Sequence, residues 1–250
     1  MNKFPISPLF IPANKLEWIA KTFEKGADSI ILDLEDSVPE NEKSQAREDL
    51  YLHLQENNYE GNLIVRVNPV SDKIGQEDIK VLTQTSLSIN AFMLPKVEES
   101  SSISSLPDVN LIALLETPRS IKNISSIAAE KTVKGLALGG ADLSASLGSA
   151  MDWDSLLYAR SKIILEAAIN NLFSIDSPFM DIENLKALGE ESKKAKMLGF
   201  NGKAAIHPSQ LEVITDSFLP NEEEISEAKE IIKAFNQSSS AVMAFNGRMI

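Results

Sequence analysis

Eight short apolar runs begin near residues 7, 29, 62, 91, 110, 133, 173 and 199, and nearly every one stops at a charged or amide side chain. Leu32-Asp33-Leu34-Glu35-Asp36, Val65-Arg66-Val67-Asn68 and Leu115-Glu116 show the pattern. A charge is costly inside a strand core. It is at home at the C-terminal ends of parallel strands, where the loops of a (β/α)8 barrel converge on one axis and build an active site. Between most runs the apolar spacing turns helical: Leu50 and Leu54 follow Pro39, and Leu156, Leu157, Ile163, Ile164 and Ala167 mark a helix over 153–171. Strands alternating with helices predict a parallel sheet with crossover connections. The expected fold is therefore α/β, a (β/α)8 TIM barrel, which typically needs about 250 residues. The chain has 250, so residues 1–250 are read as one barrel domain. The segment from Ser100 to Pro107 reads as a loop or a short irregular helix, and Asn221 to Phe235 as an acid-capped helix. Residues 236–250 form a C-terminal tail, expected to lie over the barrel mouth or against a neighbouring subunit.

The formal net charge is −12 and the basic residues are scattered, which argues against a nucleic-acid partner. Absence of cysteine removes disulfides, thiolate metal sites and a cysteine nucleophile together. Pro5, Pro8 and Pro12 interrupt the N-terminal apolar piece, and no apolar run approaches the roughly 20 residues of a membrane span. The expectation is a cytoplasmic protein with no membrane contact.

Glu116 and Asp142 are expected to face the barrel mouth from adjacent strand ends. Two hard oxygen ligands with open positions suit Mg²⁺, which keeps several waters; each carboxylate also suits a helix N-cap, and the residues alone leave both readings open. Gly139-Gly140 lets backbone approach a ligand or relieves crowding at a corner. Arg66 sits in an otherwise apolar strand and cannot shed its charge, so it needs an anion. A substrate carboxylate is the favoured partner, over the ion pair that Asp33, Glu35 and Asp36 offer. Lys43 and Arg47 share a helix face and are expected to balance Glu35 or Asp36. Lys21 meets a phosphate or solvent, and His207, before Pro208, is read as hydrogen-bonding or substrate-lining.

Several segments together carry a resemblance. They are Leu9-Phe10-Ile11-Pro12-Ala13-Asn14, Asp33-Leu34-Glu35-Asp36-Ser37-Val38 with Lys43 and Arg47, Val65-Arg66-Val67-Asn68, and Leu94-Pro95-Lys96. Leu115-Glu116-Thr117-Pro118, Gly139-Gly140-Ala141-Asp142-Leu143, Gly199 to Lys203 with Ile206-His207-Pro208-Ser209-Gln210, and Asn246 to Ile250 continue the series. In this order the chain resembles the citrate lyase β-subunit-like proteins of the HpcH/HpaI aldolase superfamily, which include malyl-CoA and citramalyl-CoA lyases. The resemblance implies a modified barrel of the phosphoenolpyruvate/pyruvate-domain type, assembled as a homo-oligomer, a trimer or hexamer. It implies a Mg²⁺-dependent lyase that breaks or makes a carbon-carbon bond between an acyl thioester and a 2-oxo acid. Mg²⁺ is then held by Glu116 and Asp142, and Arg66 grips the 2-oxo acid. Glu35 and Asp36 stand near metal-bound water as further catalytic groups, while Phe10, Lys21, Ile206 and His207, with Glu116, line the substrate or thioester-carrier site. A citryl lyase subunit fed by an acyl carrier protein is the alternative, as is a barrel that binds ligand without turnover. Free-aldehyde aldolases of the superfamily carry a histidine where Asp36 stands here, which disfavours them. The resemblance also implies a catalytic aspartate directly after Gly247-Arg248-Met249-Ile250; the sequence stops at Ile250 and is read as cut there.

Overall fold

The computed structural model describes residues 5–84, 87–237, 242 and 244–250. Strands β1 (Leu9–Pro12), β2 (Ser29–Asp33), β3 (Asn62–Arg66), β4 (Ala91–Leu94), β5 (Leu111–Leu115), β6 (Val133–Leu138), β7 (Phe173–Asp176) and β8 (Gly202–Lys203) form one sheet in sequence order. Every neighbouring pair is parallel. The sheet curls until its edges meet: Leu9 bridges Ala205 in parallel, and the Phe10 N–H donates to the Ala205 carbonyl at 2.9 Å. The edges are thereby removed, as in the TIM-barrel arrangement.

Helices α1 (Trp18–Glu24), α2 (Lys43–Glu56), α3 (Lys73–Leu82), α4 (Ser101–Ser104) and α5 (Pro118–Ala128) follow the first five strands in turn. Then come α6 (Gly140–Leu147), α7 (Trp153–Asn170), α8 (Leu185–Leu198), α9 (Leu211–Phe218) and α10 (Glu222–Gln237). Local chemistry sets their starts. Thr117 and Ser120 form a reciprocal capping box ahead of α5 with Pro118 at its first position, and Asp152 caps α7. A 3₁₀ turn over Glu40–Glu42 precedes α2, so the chain after Pro39 becomes α-helical only at Lys43. The serine-rich segment yields the four-residue α4.

The strand period of two separates two apolar layers. Ile30, Leu32, Leu63, Val65 and Leu115 face the helices in the larger cluster. Ile31, Ile64, Ile112, Leu114, Ala137 and Ile175 pack together as the layer inside the curled sheet. Continuing each inward series by two residues reaches Asp33 after Ile31, Arg66 after Ile64, Glu116 after Leu114 and Gly139 after Ala137. The alternation that fills the barrel with hydrocarbon thus delivers charge to its C-terminal mouth.

One expectation needs correction. Asp142 does not close a strand: β6 ends at Leu138, and Asp142 lies in the first turn of α6. The Gly139-Gly140 pair turns the chain straight from strand into helix.

At the C-terminus α10 buries no residue. Strands β9 (Ala244–Phe245) and β10 (Arg248–Met249) make an exposed antiparallel hairpin. Asn246 and Gly247, at φ 47° and 77°, supply the two left-handed residues that a tight I′ turn requires. Residues 238–241 and 243 of the expected tail lie outside the described residues. Among the described residues no helix is long and apolar enough to cross a membrane.

Candidate active site

A cavity of about 320 Å³ opens at the C-terminal ends of the strands. Its lower wall is hydrocarbon from the inner layer: Met93, Leu114, Ala137, Ile175 and Ala204, with Phe10 against them. Charge gathers above, with Asp33, Asp36, Arg66, Glu116 and Asp142 all lining it.

Glu116 is almost wholly buried. Its Oε1 accepts the backbone N–H of Lys96 at 2.8 Å, and Lys96 presents that N–H from a left-handed backbone, φ 53°. A Cβ on Gly139 would stand 2.4 Å from the Glu116 Cβ and 2.7 Å from Oε2, so only glycine leaves room for this carboxylate. Burial, then the charge of Glu35, and also that of Asp142, push Glu116 up to about 8 against the relief given by the Lys96 N–H and Arg66. Nearby carboxylates that resist ionising together are what a divalent cation relieves. Asp142, in the first turn of α6, sits at the positive end of that helix. Among the described residues no three His, Cys, Asp or Glu converge as a complete cage. A pair of hard oxygens is the donor set for a cation that retains water and takes its remaining ligands from a substrate.

Arg66 forms a fork with Asp33, Nε to Oδ1 and Nη2 to Oδ2, both at 2.6 Å. Its Nη1 lies 3.1 Å from Glu35 Oε2 and 3.4 Å from Asp36 Oδ2, and its guanidinium stands 5.1 Å over the Phe10 ring. Burial opposes its charge, but Asp33, Glu35 and Asp36 more than reverse that and hold it above the ordinary arginine range. Burial likewise works to raise Asp33, and is outweighed by Arg66, Ser37 and the Glu35 N–H, so this carboxyl sits below its usual range. For Glu35 burial prevails over Arg66 and Lys96, and the carboxyl is raised, although Lys96 Nζ is 2.9 Å from its Oε1. The hydrogen bond to Glu35 in turn raises Lys96.

A second charged network stands beside the cavity. Asp176 is fully buried between Arg160, Nε to Oδ1 at 2.8 Å, and Lys203, Nζ to Oδ2 at 2.7 Å. Lys203 donates also to the Ser177 carbonyl and Glu191 Oε1, each at 2.7 Å. Burial would raise Asp176; the two cations overcome it and keep the carboxyl low.

A profile of the HpcH/HpaI aldolase/citrate lyase family matches residues 7–208. The chain belongs to the HpcH/HpaI aldolase/citrate lyase family. It is 33% identical over 278 residues to the mitochondrial citramalyl-CoA lyase of Homo sapiens, covering 97% of this chain and 80% of that protein. With the (3S)-malyl-CoA thioesterase of Cereibacter sphaeroides identity is 31% over 254 residues, 98% of this chain and 88% of the relative. The crystal structure of protein CitE from Mycobacterium tuberculosis in complex with magnesium, acetoacetate and coenzyme A superposes with a TM-score of 0.87 at 30% identity, covering 100% of this chain and 94% of that one.

Of the residues expected from the sequence to build the site, Phe10, Asp36, Arg66, Glu116, Asp142 and Ile206 line one cavity. Glu35 stands directly behind, in contact with Arg66. Lys21 is exposed on α1 and His207 is exposed at the cap of a 3₁₀ turn, its Nδ1 2.8 Å from Ser209 Oγ; neither is in the cavity lining. Arg66 is paired with Asp33, Glu35 and Asp36, the ion-pair partners that the sequence reading ranked second to a substrate. Lys43 and Arg47 do not balance Glu35 or Asp36. Lys43 bonds Asn68 Oδ1 at 2.7 Å and Glu40 at 3.1 Å, and Arg47 bonds Asp78 at 3.1 Å, because α2 lies on the helix side of the sheet. Lys96 is the cation that meets Glu35, and it was not singled out although it ends its own apolar run. The Arg160–Asp176–Lys203 network also went unread: Asp176 and Lys203 are out of phase with the inward series, and nothing local marks Arg160 in its helix.

Proposed function

We propose that this protein is a Mg²⁺-dependent carbon-carbon lyase. It cleaves a 3-hydroxyacyl-CoA, such as malyl-CoA or citramalyl-CoA, into an acyl-CoA and a 2-oxo acid, or runs the reverse Claisen-type condensation. The observation that carries the reading is Glu116: a buried carboxylate pushed up to about 8, seated on Gly139 and set near Asp142 in a cavity whose lower wall is hydrocarbon. Mg²⁺ held by Glu116 and Asp142 would supply the positive charge that stabilises oxyanion character as the bond breaks.

The chain's own residues do the remainder. Asp33 fixes the Arg66 fork in one orientation, so Arg66 meets the 2-oxo acid carboxylate without reorganising. The 3.4 Å contact with the half-exposed Asp36 is the one that an incoming carboxylate displaces at least cost. Glu35, raised by burial, touches both Arg66 and Lys96 and backs the guanidinium from below, and Asp36 balances charge at the mouth. Phe10 and Ile206 exclude water from the reacting carbons, while Lys21 and His207, further out, meet the thioester carrier. Residues 1–250 act as one barrel domain, with 236–250 as a lid over the mouth or over a neighbouring subunit in a cytoplasmic trimer or hexamer.

The test is incubation of the protein with citramalyl-CoA and malyl-CoA, following acyl-CoA and 2-oxo acid by mass spectrometry. The reading predicts release that requires Mg²⁺ and is lost in Glu116→Gln. Release of free CoA with the hydroxyacid intact, or turnover indifferent to chelation, would contradict it.

A further inference from the structure

We propose that Ser177, held in place by Lys203, is a positioning residue that sets where Asp142 stands relative to Glu116 and thereby fits the cation site to Mg²⁺ over the larger Ca²⁺. The proposal rests on Glu116 and Asp142 sharing a divalent ion, and it deepens that reading by naming what fixes their spacing.

The Gly139-Gly140 turn is gripped from both sides. Gly139 lies against Glu116, just beyond β5. On the other flank a Cβ on Gly140 would stand 2.8 Å from Ser177 Oγ and 3.1 Å from Ser177 Cβ, so rotating the hydroxyl away does not clear the space. The remaining neighbour, Met151 Cε at 3.2 Å, is the end of a flexible side chain and gives way. Helix α6 starts at Gly140 and carries Asp142 in its first turn. Its starting point is therefore set by contact with Glu116 on one flank and with Ser177, the residue directly after β7, on the other.

Ser177 has nowhere to retreat. It is fully buried, and its carbonyl accepts Lys203 Nζ at 2.7 Å. Lys203 spends its other donors on Asp176 Oδ2 and Glu191 Oε1, both at 2.7 Å, so the ammonium is saturated. Asp176 is held in turn by Arg160, whose Nη1 also reaches the Trp153 carbonyl at 3.4 Å, at the start of the helix to which α6 leads. Buried ion networks are often no more stabilising than hydrocarbon of the same shape. What this one supplies is a single position for the Ser177 backbone. Ser177 Oγ has no hydrogen-bond partner among the described residues, an arrangement that costs stability. What it gives Gly140 is contact rather than a bond.

A rigid seat matters because the two cations differ in tolerance. Mg²⁺ demands near-ideal octahedral geometry at about 2.0–2.1 Å, whereas Ca²⁺ accepts irregular coordination at about 2.3–2.6 Å. A small displacement of Asp142 therefore penalises Mg²⁺ and spares Ca²⁺.

The experiment titrates Mg²⁺ and Ca²⁺ separately into the metal-free protein by calorimetry, comparing the parent with Gly140→Ala, Ser177→Gly and the double variant. Gly140→Ala pushes α6 off its seat, Ser177→Gly removes the seat, and the double variant refills the gap from the opposite side. Each single variant is expected to bind Mg²⁺ about tenfold or more weaker, the usual size of effect for residues that orient metal ligands. Ca²⁺ affinity is expected to change by no more than about twofold. The double variant is expected to recover most of the Mg²⁺ loss, a non-additive result that two independent defects would not give. Unchanged Mg²⁺ affinity, equal losses for both cations, or losses that simply add in the double variant overturn the proposal and leave the shared cation standing. Should Gly140→Ala fail to fold, Ser177→Gly, which introduces no new atoms, carries the same prediction of selectivity. If neither cation binds the parent, or if Glu116→Gln binds both as well as the parent does, this proposal and the lyase reading fall together.

Discussion

At the scale of single residues, charge at the mouth is organised by Arg66. Removing it in Arg66→Met strands Asp33 and Glu35 in a buried site, and breaking a buried pair this way costs about 3–5 kcal/mol. Asp33 is held low in the folded protein, so the stability it contributes is present above its ordinary value and lost as pH falls through the lowered one. The deficit of Arg66→Met is thus expected at pH 7 and to shrink toward acid, as urea unfolding at several pH values would show; a pH-independent deficit would mean that packing alone is at stake. Glu116 has the opposite sign. Raised to about 8, it destabilises the metal-free fold increasingly as pH climbs from the ordinary glutamate value of 4.5 toward 8. Metal-free Glu116→Gln is predicted to melt above the parent at pH 9, with the gap closing in acid. At pH 7 Mg²⁺ binding should release about one proton, because the ligand must be deprotonated; equal binding heats in buffers of different ionisation enthalpy would count against that. Much of this was legible in the sequence: Arg66 and Glu116 stand where a two-residue period meets a strand end. Their partners were not, because which carboxylate meets which cation depends on how neighbouring strands register, and Lys96 crosses to Glu35 from two strands away.

At the scale of elements, the β6–α6 turn and the β7–β8 network shape the cavity. In Gly139→Ala the new methyl collides with Glu116, as the 2.4 Å approach to its Cβ requires. Mg²⁺ affinity is expected to fall at least about tenfold, a second-contact effect of the usual size for metal sites, with little loss of helix content by circular dichroism. Undiminished affinity would show that Glu116 does not need that seat. Lys203→Met leaves Asp176 with Arg160 alone and frees the Ser177 carbonyl; a loss of about 3–5 kcal/mol in chemical denaturation is expected. The eight strands begin within three residues of the apolar runs that marked them, since a buried parallel strand must be apolar on both faces. The placement of Asp142 was missed because a polar residue after two glycines fits a strand end and a first helical turn equally well, and only the register of β6 separates them.

At the scale of the whole molecule, the chain leaves apolar surface uncovered near its C-terminus. Ile225, Ile232 and Phe235 on α10 are all at least 40% exposed, and Met249 of the hairpin is 82% exposed. If the tail caps a neighbouring subunit, analytical ultracentrifugation should find three or six chains per particle, and removal of residues 221–250 should give monomers; a monomeric full chain would contradict the proposed assembly. The sequence showed this tail as a surplus beyond the eight βα units, but its partner depends on surfaces that a single chain does not display. The account as a whole turns on Glu116 and Asp142 sharing a cation. The most direct measurement is anomalous diffraction from crystals grown with Mn²⁺ in place of Mg²⁺. A peak within about 2.0–2.3 Å of both carboxylates is predicted; a peak elsewhere on the protein, or none in the cavity at saturating Mn²⁺, would contradict it.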